Sequence, residues 1–385
     1  MVMEKFYIKQ LEETEDNEIG IKLKNLKIIS EKTNYLIPKT IVLTTDFYKF
    51  LINYNKISNP LSFKWKKLKI PVVIKNKILG EVKKTFGNKP LVIRSSTSCE
   101  DLLHSSFSGI FSSFLNIKDK KNLFRAIRSC YASFFSKRAI TYARHRNIKL
   151  KKETISIGIQ KVIRVKTSGI AFTANPVFGN KNKLILEYTR GLNTRIIAGY
   201  KSPKYIEVSK ETLGNNDNSL IFQLLKMGSL LEKILNRPQD IEWGIKNNKL
   251  FIFQSRPITT LKNKTKKLGI TTSHLKQIGY GKPAVIGQCT GNLLILKNKN
   301  DYRRIKKGDI LLAKNGINID YLLPVISKIN GIISTGGILS HTATIIREFQ
   351  KPCLVEPFYL EKEKYKNRNI ILDAINGKIF IYNNL

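Results

Sequence analysis

A chain of 385 residues is long enough for two or three domains, and a hydrophobic content of 42% excludes a disordered polymer. The formal net charge of +40 invites a polyanion, yet the lysines run along the whole chain with no basic tail and no aromatic-plus-basic motif, so nucleic acid is not an expected partner. The four cysteines, Cys99, Cys130, Cys289 and Cys353, stand far apart with no CxxC pair, which excludes a disulfide framework and a thiolate zinc site and points to a reducing compartment.

In chain order, the N-terminal stretch turns acidic within a few residues and has no apolar signal region. No later run approaches the length of a membrane span, so a soluble, cytoplasmic protein without a membrane partner is expected. Residues 20–37 carry a helical pattern that Pro38 ends, and KTIVLTT (39–45) reads as a buried strand. In KPLVIRSSTSCEDLLHSSFSGIFSSFLNI (89–117) a strand reaches Arg94, then a Ser-, Thr- and Gly-containing loop follows, centred on Gly109. Small residues there let backbone N–H groups approach phosphate oxygens, with Arg94 as counter-charge. Apolar positions at helical spacing over 120–146 predict one helix with a basic outer face.

From 155 to 257 short strands take over, among them ISIGIQKVI, SGIAFTAN, KLILEYT, KYIEVS and the pair DIEWGI and KLFIFQSRP. A polar stretch, TTLKNKTKKLGITTSHLKQ (259–277), reads as a linker. Beyond it AVIGQCTGNLLIL, GDILLA, INGIISTGG and NIILDAINGKIFIY are strands punctuated by glycines, with one helix after His341. The expected architecture is an α+β nucleotide- or ligand-binding domain joined to a small α/β domain.

The strand pair DIEWGIKNNKLFIFQSRP carries chemistry if its register allows it. A three-residue loop, Asn247-Asn248-Lys249, sets Glu242 opposite Gln254 on one face. There a carboxylate and an amide oxygen are hard ligands suited to Mg²⁺, with Arg256 as a phosphate contact nearby. A two-residue turn at Asn247-Asn248 puts the two side chains on opposite faces instead.

Taken together, GIKLKNL (20–26), VIRSSTSCEDLLHSSFSG, SGIAFTANPV, DIEWGI with LFIFQSRPIT, GDILLA and TGGILSHTATIIRE resemble the successive signatures of one superfamily. It comprises phosphoenolpyruvate synthase, pyruvate phosphate dikinase and rifamycin phosphotransferase, and the resemblance runs nearly the whole chain in family order. It implies an ATP-grasp domain (1–258), the linker 259–277 and a swivelling phosphohistidine domain (278–385). In that family a histidine takes the β-phosphate of ATP, with release of AMP and phosphate, and carries its phosphoryl group to an acceptor. The resemblance assigns ATP phosphates to Lys22 and Arg94, with Gly109 and Arg256 beside them. It assigns the adenine pocket to Gln160, Lys161 and Val162, magnesium to Glu242 and Gln254, and the phosphate carrier to His341.

The chemistry around His341 agrees with that role. A neutral imidazole nitrogen is a good nucleophile near neutral pH, and a helix N-terminus supplies backbone donors for a phosphoryl group. Thr335, Gly336, Gly337, Ser340 and Thr342 form the loop around it. Departures from the family pattern are Gly20-Ile21 in place of a glycine pair, Ser112-Ser113 in place of an acidic residue and threonine, and Thr194 where a glutamate is usual. They make a degenerate, non-catalytic ATP-binding or regulatory descendant the alternative reading. No acceptor-binding domain is recognised before Leu385, so the expected acceptor is a small molecule such as pyruvate, or is held by a separate protein.

Overall fold

Isoleucine, leucine, valine and threonine recur through the strands of the first sheet, where branched side chains suit a pleated surface. These are β1 (Ile8–Gln10), β2 (Thr40–Leu43), β3 (Leu91–Thr97), β4 (Ser113–Ile117) and β5 (Ile155–Lys161). They run in the order β1-β2-β5-β3-β4, with every neighbouring pair antiparallel. The computed structural model describes residues 7–100, 106, 107, 109–191, 204–211, 219–261, 269, 272, 274–313, 319–335 and 337–382. It divides into a first unit of residues 1–166 with 241–256 and a second of residues 167–240 with 257–385. One junction between the units, from Arg256 to Pro257, falls beside the expected boundary at 258, while residues 167–240 cluster with the C-terminal segment.

In the first unit, helices α1 (Ile21–Lys32), α2 (Thr45–Tyr54), α3 (Val72–Phe86), α4 (Lys120–Phe134) and α5 (Lys137–His145) accompany the sheet. The inner face of α4 buries Leu123, Ile127, Tyr131 and Phe134. Trp65 stacks on Phe135 at 4.9 Å between ring centroids. The single helix expected over 120–146 is two, because the Ser136 hydroxyl accepts the Ala139 amide at 3.3 Å and starts a new helix. Helix α1 ends before the proline that was expected to stop it. Thr33 turns extended, and its hydroxyl donates to the Ile29 carbonyl at 2.7 Å.

The hairpin of β9 (Gln239–Lys246) and β10 (Lys249–Pro257) lies mostly in the first unit. Asn247 and Asn248 join the strands with φ of 49° and 57°. Two consecutive left-handed residues fit a two-residue type I′ turn, for which Asn is well suited. This corrects the three-residue loop. Near the turn a Cβ on Gly244 would come 2.7 Å from the Phe253 ring. Farther along, the Ile258 amide donates to the Pro238 carbonyl at 2.8 Å, one residue out of step with a regular ladder from that turn, as a β-bulge between them requires.

In the second unit, β6 (Thr167–Phe172), β7 (Lys183–Arg190) and β8 (Lys204–Ser209) pair antiparallel, and helix α6 (Leu220–Ile234) follows. The C-terminal strands are β11 (Gln277–Val285), β12 (Gln288–Leu296), β13 (Ile310–Ala313), β14 (Gly331–Ser334), β15 (Cys353–Phe358), β16 (Asn369–Asp373) and β17 (Lys378–Ile381). They close into a barrel in the order β11-β15-β14-β13-β12-β16-β17. Strands β12 to β15 are parallel in their β12-β13, β13-β14 and β14-β15 pairs, as an α/β domain requires, and antiparallel β11, β16 and β17 close the ring. Leu293, Ile310, Leu312, Ile333, Leu354 and Leu372 fill the interior. Helices α7 (Ile319–Leu322), α8 (His341–Glu348) and α9 (Lys362–Tyr365) interrupt the barrel strands. Among the described residues no helix is long and apolar enough to cross a membrane. All four cysteines are buried, and none forms a disulfide.

Candidate functional site

Gly20 sets the entry to the first group of functional side chains. It caps α1, its N–H donates to the Ser156 hydroxyl at 2.9 Å, and a Cβ there would lie 2.2 Å from the Ser96 carbonyl carbon. Only glycine fits so close a backbone approach. The single glycine meets this need, and Ile21 opens the helix in place of the second. The Leu23 amide donates to the Ser96 hydroxyl at 3.1 Å, which ties α1 to β3.

Held in this way, Lys22 places its ammonium 2.6 Å from Glu100 Oε1. Glu100 is fully buried, and its second oxygen accepts the Thr97 amide at 3.1 Å. A lysine ammonium has three donors, so the contact with Glu100 leaves capacity for a phosphate oxygen. Glu100 was not singled out in the sequence. Its signal is present in Thr97-Ser98-Cys99-Glu100, which matches the S/T-x-x-E pattern of a capping box, where the acid returns to the backbone N–H of the first residue.

Arg94 sits in the middle of β3 and joins that sheet to the hairpin. Its Nη1 donates to the Phe253 carbonyl at 2.7 Å, and its Nη2 lies 3.7 Å from Glu242 Oε2. On the neighbouring strand Ser113 stands opposite Arg94. A hydroxyl therefore occupies the register position of one departure from the family pattern. The first unit thus places Lys22, Arg94 and Glu242 on elements tied to β3.

The remaining predicted residues are placed less directly. Gly109 has φ of 65°, a left-handed conformation suited to glycine. Gln160 is buried and donates from Nε2 to the Thr40 hydroxyl at 2.9 Å, so its side chain is engaged inside the sheet. Lys161 ends β5 opposite Leu91, and the Val162 amide donates to the Pro90 carbonyl at 2.9 Å. Arg256 is buried near the end of β10, next to Ser255, whose carbonyl accepts from the Asn25 side chain at 2.8 Å. Gln254 is buried as well.

His341 belongs to the second unit and is the first residue of α8. Ser340 caps that helix, its hydroxyl accepting the Ala343 amide at 3.2 Å. Thr335 donates its amide to the Ala313 carbonyl at 3.4 Å at the end of β14. Gly336 and Thr194 lie outside the described residues, as do the side chains of His341 and Thr342 and linker residues 262–268. Beneath Gly337 lies Glu187, a second carboxylate that sequence reasoning passed over, although one acid in the apolar run LILEYT was its signal. Among the described residues no group of three or more His, Cys, Asp or Glu side chains could hold a metal ion by itself.

The family model for the pyruvate phosphate dikinase AMP/ATP-binding domain matches residues 16–221 and 215–277, and that for the PEP-utilising enzyme mobile domain matches residues 305–377. A probable phosphoenolpyruvate synthase of Methanothermobacter thermautotrophicus is 27% identical over 324 residues, 75% of this chain and 47% of that one. Phosphoenolpyruvate synthase of Pyrococcus furiosus is 26% identical over 346 residues, 78% of this chain and 42% of that one. Rifampicin phosphotransferase of Bacillus cereus is 30% identical over 209 residues, 46% of this chain and 24% of that one. The chain thus spans less than half the length of each of these relatives.

Proposed function

Since this chain belongs to the family of the pyruvate phosphate dikinase AMP/ATP-binding domain, we propose that it is an ATP-dependent phosphotransferase of the dikinase type. The observation that carries the reading is Arg94 beside Glu242, on a strand tied through Ser96 to the helix that presents Lys22. Lys22 and Arg94 bind the ATP phosphates. Glu242 would hold magnesium, with Gln254 as a second candidate ligand, and the ion would supply positive charge for phosphoryl transfer.

In this reading the imidazole of His341 attacks phosphorus, a P–N bond forms, and the bond to the departing nucleotide oxygen breaks. The net products of ATP and water are phosphohistidine, AMP and phosphate. The capped N-terminus of α8 offers backbone N–H groups to the phosphoryl oxygens. The phosphoryl group then passes to an acceptor, either a small molecule of the pyruvate type or one bound by a separate protein.

Mg-ATP labelled at the β-phosphate should leave acid-labile, base-stable label on the protein, and His341→Ala should abolish it. Label that persists in that variant refutes the carrier role. Wild-type protein that binds ATP but takes no label is the non-catalytic descendant instead. For the cation, Glu242→Ala should weaken ATP binding in magnesium by about tenfold or more, roughly 1.4 kcal/mol, and change it little in EDTA. Calorimetric titration in the two buffers reads this directly. Equal losses in both would assign Glu242 to a structural role beside Arg94.

A further inference from the structure

Strand β7 is buried through Leu184, Ile185 and Leu186 and then places a carboxylate, Glu187, at 1% exposure. Its neighbours in the sheet are Ile170 on β6 and Tyr205 on β8. A buried acid needs hydrogen-bond partners, and Glu187 finds one outside the sheet. The Leu339 amide donates to both of its oxygens at 3.3 Å. The carboxylate also fills the space over Gly337, where a Cβ would come within 2.4 Å of Oε2.

Arg347 of α8 reaches the same peptide group. Its Nη2 donates to the Ile338 carbonyl at 3.0 Å, while Nε and Nη2 hold the Ala284 carbonyl at 3.2 and 3.1 Å. The Ile338–Leu339 peptide is thus held at its carbonyl by a guanidinium and at its amide by a carboxylate. Two residues further on, His341 begins its helix. Glu187 lies in the segment that matches the ATP-binding family model, and Leu339 in the segment that matches the mobile-domain model.

We propose that Glu187 is a positioning residue, a latch that holds the Ile338–Leu339 peptide and thereby orients the loop that presents His341. The proposal rests on the reading of His341 as the phosphoryl carrier. Gly337 is the complementary half of the latch, since any side chain there displaces the carboxylate. When the Leu339 contact breaks, the loop loses its tie to β7, which frees the mobile segment to turn toward an acceptor.

Amide hydrogen exchange of the full chain tests the latch without any catalysis. Glu187→Ala should speed exchange across residues 337–340 by about tenfold or more. Glu187→Gln, whose amide oxygen still accepts a hydrogen bond, should restore protection. Gly337→Ala should mimic Glu187→Ala and add little on top of it, because both remove one contact. Unchanged exchange in Glu187→Ala overturns the proposal.

A second arm follows the rate of label transfer from Mg-ATP to His341. Glu187→Ala should lower that rate about tenfold at unchanged ATP affinity, with recovery in Glu187→Gln. Equal rates in wild type and Glu187→Ala overturn the positioning role. If the wild type takes no label at all, the carrier reading fails, while the exchange arm still decides whether the latch exists.

Discussion

Glu100→Ala should destabilise the first unit by about 3–5 kcal/mol, the cost expected when one partner of a buried ion pair is removed. Glu100 is fully buried, and Lys22 Nζ lies 2.6 Å from it with a side chain 13% exposed. The variant leaves an ammonium mostly out of water without its counter-ion and frees the Thr97 amide that Glu100 also holds. Glu100→Gln keeps an acceptor for both groups and should lose less. Lys22→Met should cost nearly as much as Glu100→Ala, since it strands a buried carboxylate. The double variant Lys22→Met/Glu100→Leu should recover much of the stability, as apolar replacements of buried pairs often do. It should not recover ATP binding, because the phosphate contact is gone. Urea unfolding of the four proteins beside ATP titrations separates the two roles. Additive losses in the double variant would show that the pair is not energetically coupled.

The parts of this site that were legible in the sequence lie at junctions. Gly20, Gly109 and the Gly-to-helix step before His341 each mark a change of element, and the structure finds α1, a left-handed glycine and α8 there, whereas β3 runs on to Thr97, past the strand end expected at Arg94. The hairpin misled through one residue. Whether Asn247-Asn248 or Asn247-Asn248-Lys249 forms the turn is a difference of one residue, and composition hardly separates the two. Two consecutive asparagines favoured the two-residue turn that the structure adopts.

Glu100 and Glu187 were missed for a different reason. Each acts on a backbone amide, Thr97 in one case and Leu339 in the other, and backbone groups leave no trace in a residue pattern. Helices α2, α3 and α6 were overlooked, and in α3 lysines and an asparagine interrupt the apolar stripe, as VVIKNKILGEVKKTF shows. Closure of the barrel follows from strand order, since β11 lies between β15 and β17, and local periodicity carries no order.

The pH dependence of stability should carry the signature of Glu187. Burial pushes its carboxyl from an ordinary 4.5 up to about 7, while the Leu339 and Ile338 amides and the Arg347 guanidinium oppose the shift. Glu356 on β15, paired with Lys282 at 2.7 Å, raises it further, and Tyr205 faces it from β8. The sign follows from proton counting. Between pH 4.5 and about 7 the folded chain keeps a proton that the unfolded chain has released, so stability falls as pH rises. The contribution is fully present below 4.5 and is lost as pH passes through about 7, a change on the order of 3 kcal/mol. Glu187→Gln cannot ionise. It should match the wild type near pH 4.5 and exceed it by up to about 3 kcal/mol at pH 8, an unusual gain from a buried substitution. Denaturant unfolding of both proteins across this range measures the difference, and parallel curves would refute it. The same balance bears on the latch. Opening lets the carboxylate meet water and recovers its burial cost, so the contact with Leu339 should release most readily above pH 7. Exchange at Leu339, corrected for base catalysis, should therefore accelerate through that range in the wild type and stay level in Glu187→Gln.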